Sequence, residues 1–390
     1  MNSIIKNFPV VVHQLFFLFA QLLILQLYGI GYSGSLAYIG VTSTFLAVLI
    51  NLRWDIEIMI SNDQALYKSL LDASLTIILM TAIIFLLNLT TGSILPIHII
   101  LSGIAIAIHE LLVSILFMQR KIYIYSFYRS IPAIALIFLA LIGYKPEIIW
   151  PASFMLSSFF LLVYFRNLFK KAISVMSFNL VRKINLTSKI NAAITASTFS
   201  FFSAFFVIVI NFYYGDDYVG LWSNTIRIFN SMIIFLLAAC LPFFYNVIRK
   251  EEFNSEKIKK FFYLWILFLP LIIFSLIVVL NYGLHIFSIF KPFNLEITNI
   301  DLSYIFLIGV LISFIGSSQG LYQAMNKSII LFFMIILTAL TGFIIIYKNI
   351  YSFNGLLEIF LILILFLIFM ILVHLIYSII FKNYKLFKNT

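Results

Sequence analysis

The sequence predicts an all-α polytopic membrane fold: about twelve transmembrane helices in two six-helix bundles related by a parallel pseudo-two-fold repeat. Three observations predict it. Of 390 residues, 63% are apolar and 10% charged, whereas a globular domain is typically about 45–50% apolar and about 25% charged. The chain therefore lacks the polar side chains to cover a water-facing surface, and its solvent is lipid. Second, the apolar residues gather in helix-length runs. A span needs about 20 such residues, so twelve would use roughly 240 and leave no room for a sizeable soluble domain. Third, a seven-residue pattern recurs at equivalent points of the two halves.

The first run, 8–28, follows Lys6 and carries His13, Gln14, Gln21 and Gln26 with no small-x-small cleavage pattern behind it. It reads as an uncleaved span, not a secretory leader. The stretch Tyr28-Gly29-Ile30-Gly31-Tyr32-Ser33-Gly34 turns the chain into span two, 34–52. That span ends in Leu52-Arg53-Trp54-Asp55-Ile56-Glu57-Ile58, where Arg53 and Glu57 at i, i+4 can pair and Trp54 suits the interface. Spans three and four are 69–88 and 94–118. His109-Glu110 lies near the middle of the fourth, without a second histidine at zinc-site spacing. An acid at that depth is either a proton or sodium coupling site or a carboxylate paired between helices. Spans five and six are 123–143, containing Arg129 and Pro132, and 147–165. All of these are too long and too continuously apolar for the alternating strands of a membrane barrel.

The longest polar stretch, Asn167 to Lys189, joins two halves, predicted as domains 1–175 and 176–390. Span seven, 191–211, places Asn191, Thr195 and Thr198 on one face and is followed by Tyr214-Gly215-Asp216-Asp217-Tyr218-Val219-Gly220. Both turns read Y-G-x-x-Y-x-G, offset by 186 residues. Because six spans is an even number, the halves enter the membrane in the same sense, which makes the repeat parallel. The first copy also fits G-x-G-x-x-G, but a dinucleotide site needs that motif between a strand and a helix, and here it joins two spans.

Span eight, 218–246, carries Ser223, Arg227 and Asn230 at i, i+4, i+7, with Asn224 and Ser231 beside them. An arginine embedded there costs roughly 2.5–3.5 kcal/mol on insertion scales, so it should face a water-filled cavity or a counter-charge. Spans nine to twelve are 261–281, 302–325, 328–347 and 356–380. In the tenth, Gly309, Ser313 and Ser317 at four-residue steps read as close helix packing. Pro132, Pro242 and Pro270 can kink their spans. Cys240, the single cysteine, offers neither a disulfide nor a metal cluster.

With the N-terminus in the cytosol, twenty of the 25 lysines and arginines fall on the inner side. Lys145, Lys291 and Lys348 fall in outer loops, and Arg129 and Arg227 inside spans. This bias places both termini in the cytosol. It also makes the net charge of +11 a signature of topology, which removes the case for nucleic acid as a partner.

Three segments carry a family resemblance. They are the Leu52–Ile58 ending of span two, the region Phe212–Lys250 with its Leu241-Pro242-Phe243-Phe244-Tyr245-Asn246-Val247-Ile248-Arg249-Lys250 close, and Tyr322-Gln323-Ala324-Met325-Asn326-Lys327 after span ten. With the twelve spans and two halves, they resemble the O-antigen and polysaccharide repeat-unit flippases of the multidrug/oligosaccharidyl-lipid/polysaccharide (MOP) exporter superfamily. The resemblance implies a V-shaped pair of bundles whose central cleft opens alternately inward and outward. The cargo would be an undecaprenyl-diphosphate-linked oligosaccharide crossing the bacterial inner membrane for O-antigen or capsular polysaccharide synthesis. Helices one, two, seven and eight line the cleft in that superfamily. Arg227, Arg53 at the inner mouth, and Arg129 would then hold the diphosphate. His13, Gln14, Gln21, Asn224 and Asn230 would meet sugar hydroxyls, and Glu110 is the candidate for coupling to a proton or sodium gradient. No cofactor or metal is implied; the partners are the lipid-linked oligosaccharide, membrane lipid and other polysaccharide-assembly proteins.

Two alternatives remain. A drug or metabolite antiporter of the same superfamily would want acids in its cleft, yet span one contains no Asp or Glu. A membrane polysaccharide polymerase would carry a large outer loop, whereas Tyr282 to Asp301, the longest here at about twenty residues, holds a lone His285.

Overall fold

The computed structural model of the chain describes residues 2–52, 54–55, 58, 63–92, 95–174, 186–226, 304–305, 307–309, 311–312, 315, 328–349 and 352–380. Among the described residues the chain is an all-α membrane protein, with seven helices long and apolar enough to span a bilayer. In chain order the helices are α1 (Asn2–Asn51), α2 (Asp63–Thr90), α3 (Ile97–Met118), α4 (Ile122–Leu141), α5 (Pro146–Tyr164), α6 (Arg166–Ser174), α7 (Leu186–Tyr214), α8 (Ser328–Asn349) and α9 (Phe353–Ile380). Residues 216–226, the start of the predicted span eight, are also helical. Span nine and the rest of spans eight and ten lie outside the described residues.

The predicted first two spans are the arms of α1, which breaks at Gly29 (φ 83, ψ −178). That backbone conformation is open essentially to glycine alone. No atom lies within 4 Å of where a Cβ on Gly29 would sit, so the glycine is required by the chain direction and not by crowding. The predicted turn thus contracts to one residue. Residues 30–33, expected between the two spans, already belong to the second arm.

Several helices run beyond their apolar stretches. α2 begins at Asp63 and α7 at Leu186, both ahead of the expected starts at 69 and 191. Polar residues end the apolar run without ending the helix, because an interfacial turn satisfies its remaining backbone groups with water. The predicted linker, Asn167 to Lys189, begins within α6. Phe165 and Ala172 are buried there, while Arg166, Lys170 and Lys171 are exposed.

Contacts divide the chain into two compact units, residues 1–224 and 225–390. The predicted domain boundary at 175/176 falls outside the described residues. Within the first unit, α1 is central and packs chiefly on α3, α4 and α7, while α3 and α4 each pack on α5. Lipid offers no hydrophobic drive between helices, so close approach of small residues carries the packing. A Cβ on Gly40 of α1 would lie 2.7 Å from the ring of the buried Trp150 of α5, and one on Gly103 of α3 would lie 3.0 Å from Leu46. Ser43 donates to the Ile99 carbonyl at 3.3 Å, and Ser158 to that of Ala105 at 3.3 Å. Outward, Leu86, Phe127, Phe138 and Phe159 are exposed, as lipid-facing side chains are. In the second unit α8 packs on α9, and Gly309 meets Ile226, its Cβ position 3.2 Å from Ile226 Cγ1. The close packing expected at Gly309 is present; Ser313 and Ser317 lie outside the described residues.

Gly40→Ala should therefore destabilise the protein by about 1–3 kcal/mol, since the indole facing it is held by its own packing and cannot swing away. Gly103→Ala should cost less, because Leu46 can change rotamer. Thermal unfolding in detergent measures both, and an unshifted midpoint for Gly40→Ala contradicts the packing described.

Candidate functional site

Among the described residues of the first unit, polar clusters interrupt the apolar interior, and two of them involve the sequence candidates or the repeat. The first joins α3 to α4. Arg129 Nη2 donates to both carboxylate oxygens of Glu110, at 3.1 Å to Oε1 and 3.0 Å to Oε2. Nη1 donates to the hydroxyl of Tyr125 one turn earlier, and the guanidinium lies over the Tyr125 ring, 5.5 Å from its centroid. The charged side chains are 27% and 28% exposed. Charges carried on spanning helices are stable only when paired, and a guanidinium provides several donors to one carboxylate. Beside Glu110, His109 is fully buried and edge-on to Phe154 at 5.5 Å. Its Nδ1 has no hydrogen-bond partner among the described residues. The embedded arginine expected to grip a diphosphate and the embedded acid expected to couple an ion are thus each other's partners.

The second cluster is built by the two Y-G-x-x-Y-x-G copies. Gly29 and Gly215 share φ 83. Tyr28 stacks on Tyr32 at 4.8 Å, and the equivalent Tyr214 and Tyr218 lie 5.3 Å apart. The closing glycines then meet. A Cβ on Gly34 would overlap the Asp216 carbonyl oxygen and fall 2.8 Å from Gly220 N. A Cβ on Gly220 would overlap the Ile30 carbonyl oxygen and fall 3.1 Å from Gly34 N. Residues 30 and 216, like 34 and 220, are one repeat apart, so each copy touches the other with the same surface. Such reciprocity is the signature of a two-fold contact. Gly31 likewise faces its own equivalent, Asp217, whose Oδ1 would be 2.5 Å from a Cβ there.

Hydrogen bonds flank this crossing. Ser35 Oγ donates to Asp216 Oδ2 at 2.5 Å. Asn224 Nδ2 donates to Ser33 Oγ at 2.9 Å and to the Gly220 carbonyl at 2.8 Å. The tyrosines of the first copy instead hold the neighbouring helix end: Tyr28 donates its hydroxyl to the Ala140 carbonyl, and Tyr32 to that of Tyr144 at 2.5 Å.

The remaining sequence candidates separate as follows. Gln21 is buried on the first arm of α1, 7% exposed. Asn224, expected to meet sugar, is buried against Ser33. His13 and Gln14 lie on α1, but their side chains, like the whole of Arg53, Arg227 and Asn230, fall outside the described residues. At the end of span two, Trp54 Nε1 donates to Thr76 of α2 at 3.0 Å, which ties that end to α2, and Asn51 donates to Asp55 within the same segment at 3.1 Å. Sequence reasoning passed over Ser33, Ser35 and Asp216. The available signal was the aspartate pair 216–217 standing where the first copy has Ile30-Gly31. Among the described residues no group of three metal-ligating side chains converges.

No family model matches the sequence, and no curated protein matches it. Solved structures do. A multidrug resistance MATE family transporter of the MOP superfamily in an outward-facing conformation is similar with a TM-score of 0.62 at 12% identity, over 96% of this chain and 94% of that one. The MATE multidrug transporter DinF-BH matches with a TM-score of 0.63 at 15% identity, over 96% of this chain and 93% of that one. A MATE protein in a bent conformation gives a TM-score of 0.53 at 11% identity, over 96% and 92%. The chain thus shares the fold of these MATE transporters.

Proposed function

We propose that the protein is a transporter of the MOP superfamily that flips undecaprenyl-diphosphate-linked oligosaccharide repeat units across the bacterial inner membrane by alternating access. The fold supports a transporter over an enzyme. The observation that carries the cargo is the sign of the embedded charge. Span one has no Asp or Glu, the polar stripe of span eight centres on Arg227, and the Glu110 carboxylate is neutralised by Arg129. An anionic diphosphate suits such an interior better than a cationic drug. Arg53 and Arg227 hold the diphosphate, and His13, Gln14, Gln21 and Asn230 offer hydrogen bonds to sugar. Glu110 couples the cycle: a proton on its carboxylate removes the charge that restrains Arg129, whose guanidinium then becomes available to an anion. The multidrug antiporter reading rests on the fold of the solved neighbours.

The test is deletion of the gene, followed by analysis of surface polysaccharide and of the leaflet holding each lipid-linked intermediate. The expected result is loss of surface polymer with complete repeat units trapped on the cytosolic leaflet. Single repeat units still reaching the surface would point to a polymerase. Unchanged polysaccharide would turn the assignment to the antiporter, read out by drug and ion efflux.

A further inference from the structure

We propose that the corner where α4 begins and α5 ends binds an anionic phospholipid, with the headgroup phosphate on Arg120, Lys121 and Arg166 and the acyl chains along the lipid-facing seam between α4 and α5. The corner lies within the first unit. The proposal rests on the membrane fold, and on the orientation given by the positive charges for the cytosolic leaflet, but not on the cargo. Three observations carry it.

First, the positive charge there is uncompensated by the chain. Between Glu110 and Asp216 the sequence has Glu147 as its single acid. Glu147 opens α5 and so stands about 25 Å from Tyr164 at the other end of that helix. Arg120, Lys121, Arg166 and Lys170 are exposed, and none has an acidic partner among the described residues. The counter-charge comes from outside this part of the chain, and the nearest source is the headgroup layer of the leaflet. Second, one of these cations is held over an apolar surface. Lys121 Nζ donates to the Tyr164 hydroxyl at 3.2 Å and lies 5.5 Å from the centroid of that ring. Tyr164 in turn packs on Tyr128 of α4, with centroids 5.9 Å apart. Ile124, one turn into α4 from Lys121, and Phe160, one turn back along α5 from Tyr164, are both exposed. A cation fixed above such a seam matches a phospholipid, which carries a phosphate above its acyl chains. Arg166 follows Tyr164 by two residues, and Lys170 lies one turn further along α6.

Third, Arg120 stands where glycine is the relaxed choice. The end of α3 closes with the Lys121 N–H on the Leu116 carbonyl at 3.0 Å and the Arg120 N–H on that of Phe117 at 2.9 Å. This left-handed cap is usually made by glycine. At the far end of α4 the same pair of bonds, Tyr144 to Leu139 and Gly143 to Ala140, is closed by Gly143 at φ 88. Arg120 takes the equivalent position at φ 58. Strain of this kind marks a side chain with a role that the turn itself does not require. Here it sets an exposed guanidinium beside Lys121.

The experiment uses the full chain, purified in a neutral detergent and mixed with phosphatidylglycerol or with phosphatidylcholine of the same acyl chains. Bound lipid is counted by native mass spectrometry, a readout that needs no transport. The chain should bind phosphatidylglycerol about tenfold more tightly than phosphatidylcholine. Lys121→Gln and Arg166→Gln should each weaken that binding about fivefold, the usual worth of one basic residue at an anionic surface. Arg120→Gly should weaken it as much, while its thermal midpoint in phosphatidylcholine holds or rises because glycine relaxes the cap. That split separates lipid binding from a structural role. Lys145→Gln, the same charge change at the opposite end of α5, should bind phosphatidylglycerol like the parent. Equal affinity for the two lipids overturns the site, as does an Arg120→Gly chain that binds like the parent. A loss in Lys145→Gln as large as that in Lys121→Gln also overturns it, since binding would then follow net charge. Displacement of phosphatidylglycerol by inorganic phosphate would reduce the corner to a phosphate patch. Displacement by an equal concentration of undecaprenyl diphosphate would make it a docking point for a different lipid, and either result overturns the proposal.

Discussion

Glu110→Gln and Arg129→Gln are each expected to destabilise the protein by about 3 kcal/mol, while the double variant loses less than either single change. Removing one partner of an apolar-bound ion pair leaves the other charge unpaired, and breaking a buried pair typically costs about 3–5 kcal/mol. The lower figure applies because the two side chains keep 27% and 28% exposure. Arg129 on its own would retain the Tyr125 hydroxyl, a neutral acceptor, in place of the two carboxylate oxygens it holds now. Removing both charges leaves two amides that can bond to each other, so the coupling between the sites should be large and opposite in sign to the single losses. The exchange Glu110→Arg with Arg129→Glu should recover part of the stability, since a glutamate at 129 can accept from Tyr125. Thermal midpoints in detergent, with folded yield by size exclusion, measure all four. Single variants with unshifted midpoints would mean the pair is incidental. A double variant that folds normally yet restores no surface polymer would give Glu110 the coupling role, because stability would no longer explain the loss.

Hydropathy made the fold readable because a lipid-facing helix must be apolar along its whole length. The runs 94–118, 123–143 and 147–165 became α3, α4 and α5 with ends displaced by three residues or fewer. Helix ends in polar sequence were less readable. α6 was hidden because three cations in nine residues mask the apolar side it presents through Leu168, Phe169 and Ala172. The repeat was legible as a pattern, and its glycines as a turn. What no linear pattern contains is rotation about a helix axis. Glu110 and Arg129 were each visible as embedded charges, but their pairing depends on which faces α3 and α4 turn to one another. In the same way Asn224 read as part of a substrate-facing stripe, and its bond to Ser33 required knowing that the two copies cross. The Gly34–Gly220 crossing follows from two-fold symmetry once the copies are known to meet, a fact that only the packing supplies.

If the protein flips a lipid-linked oligosaccharide, as proposed, Arg227→Ala should reduce that transport roughly 100-fold and Arg227→Lys roughly tenfold, both at normal protein level. Ser223 and Asn224 precede Arg227 by four and three residues in the sequence, and both are buried, with the Ser223 hydroxyl lacking a partner among the described residues. Glu110 is committed to Arg129, and on the proposed reading the counter-charge of Arg227 is the anionic cargo. Hydrogen bonds to a charged group contribute about 1.5–3 kcal/mol each, and about 1.4 kcal/mol is tenfold, which sets the loss for alanine. Lysine keeps the charge but presents an ammonium where the guanidinium offers a planar fork matched to phosphate oxygens, so its deficit is intermediate. The order arginine, lysine, alanine is the discriminating result. A cationic cargo would be repelled by Arg227, and its export should rise or stay level in Arg227→Ala. Full polymer restoration by both variants would remove the diphosphate from this position, and a lysine variant as poor as alanine would assign the arginine to shape instead of charge.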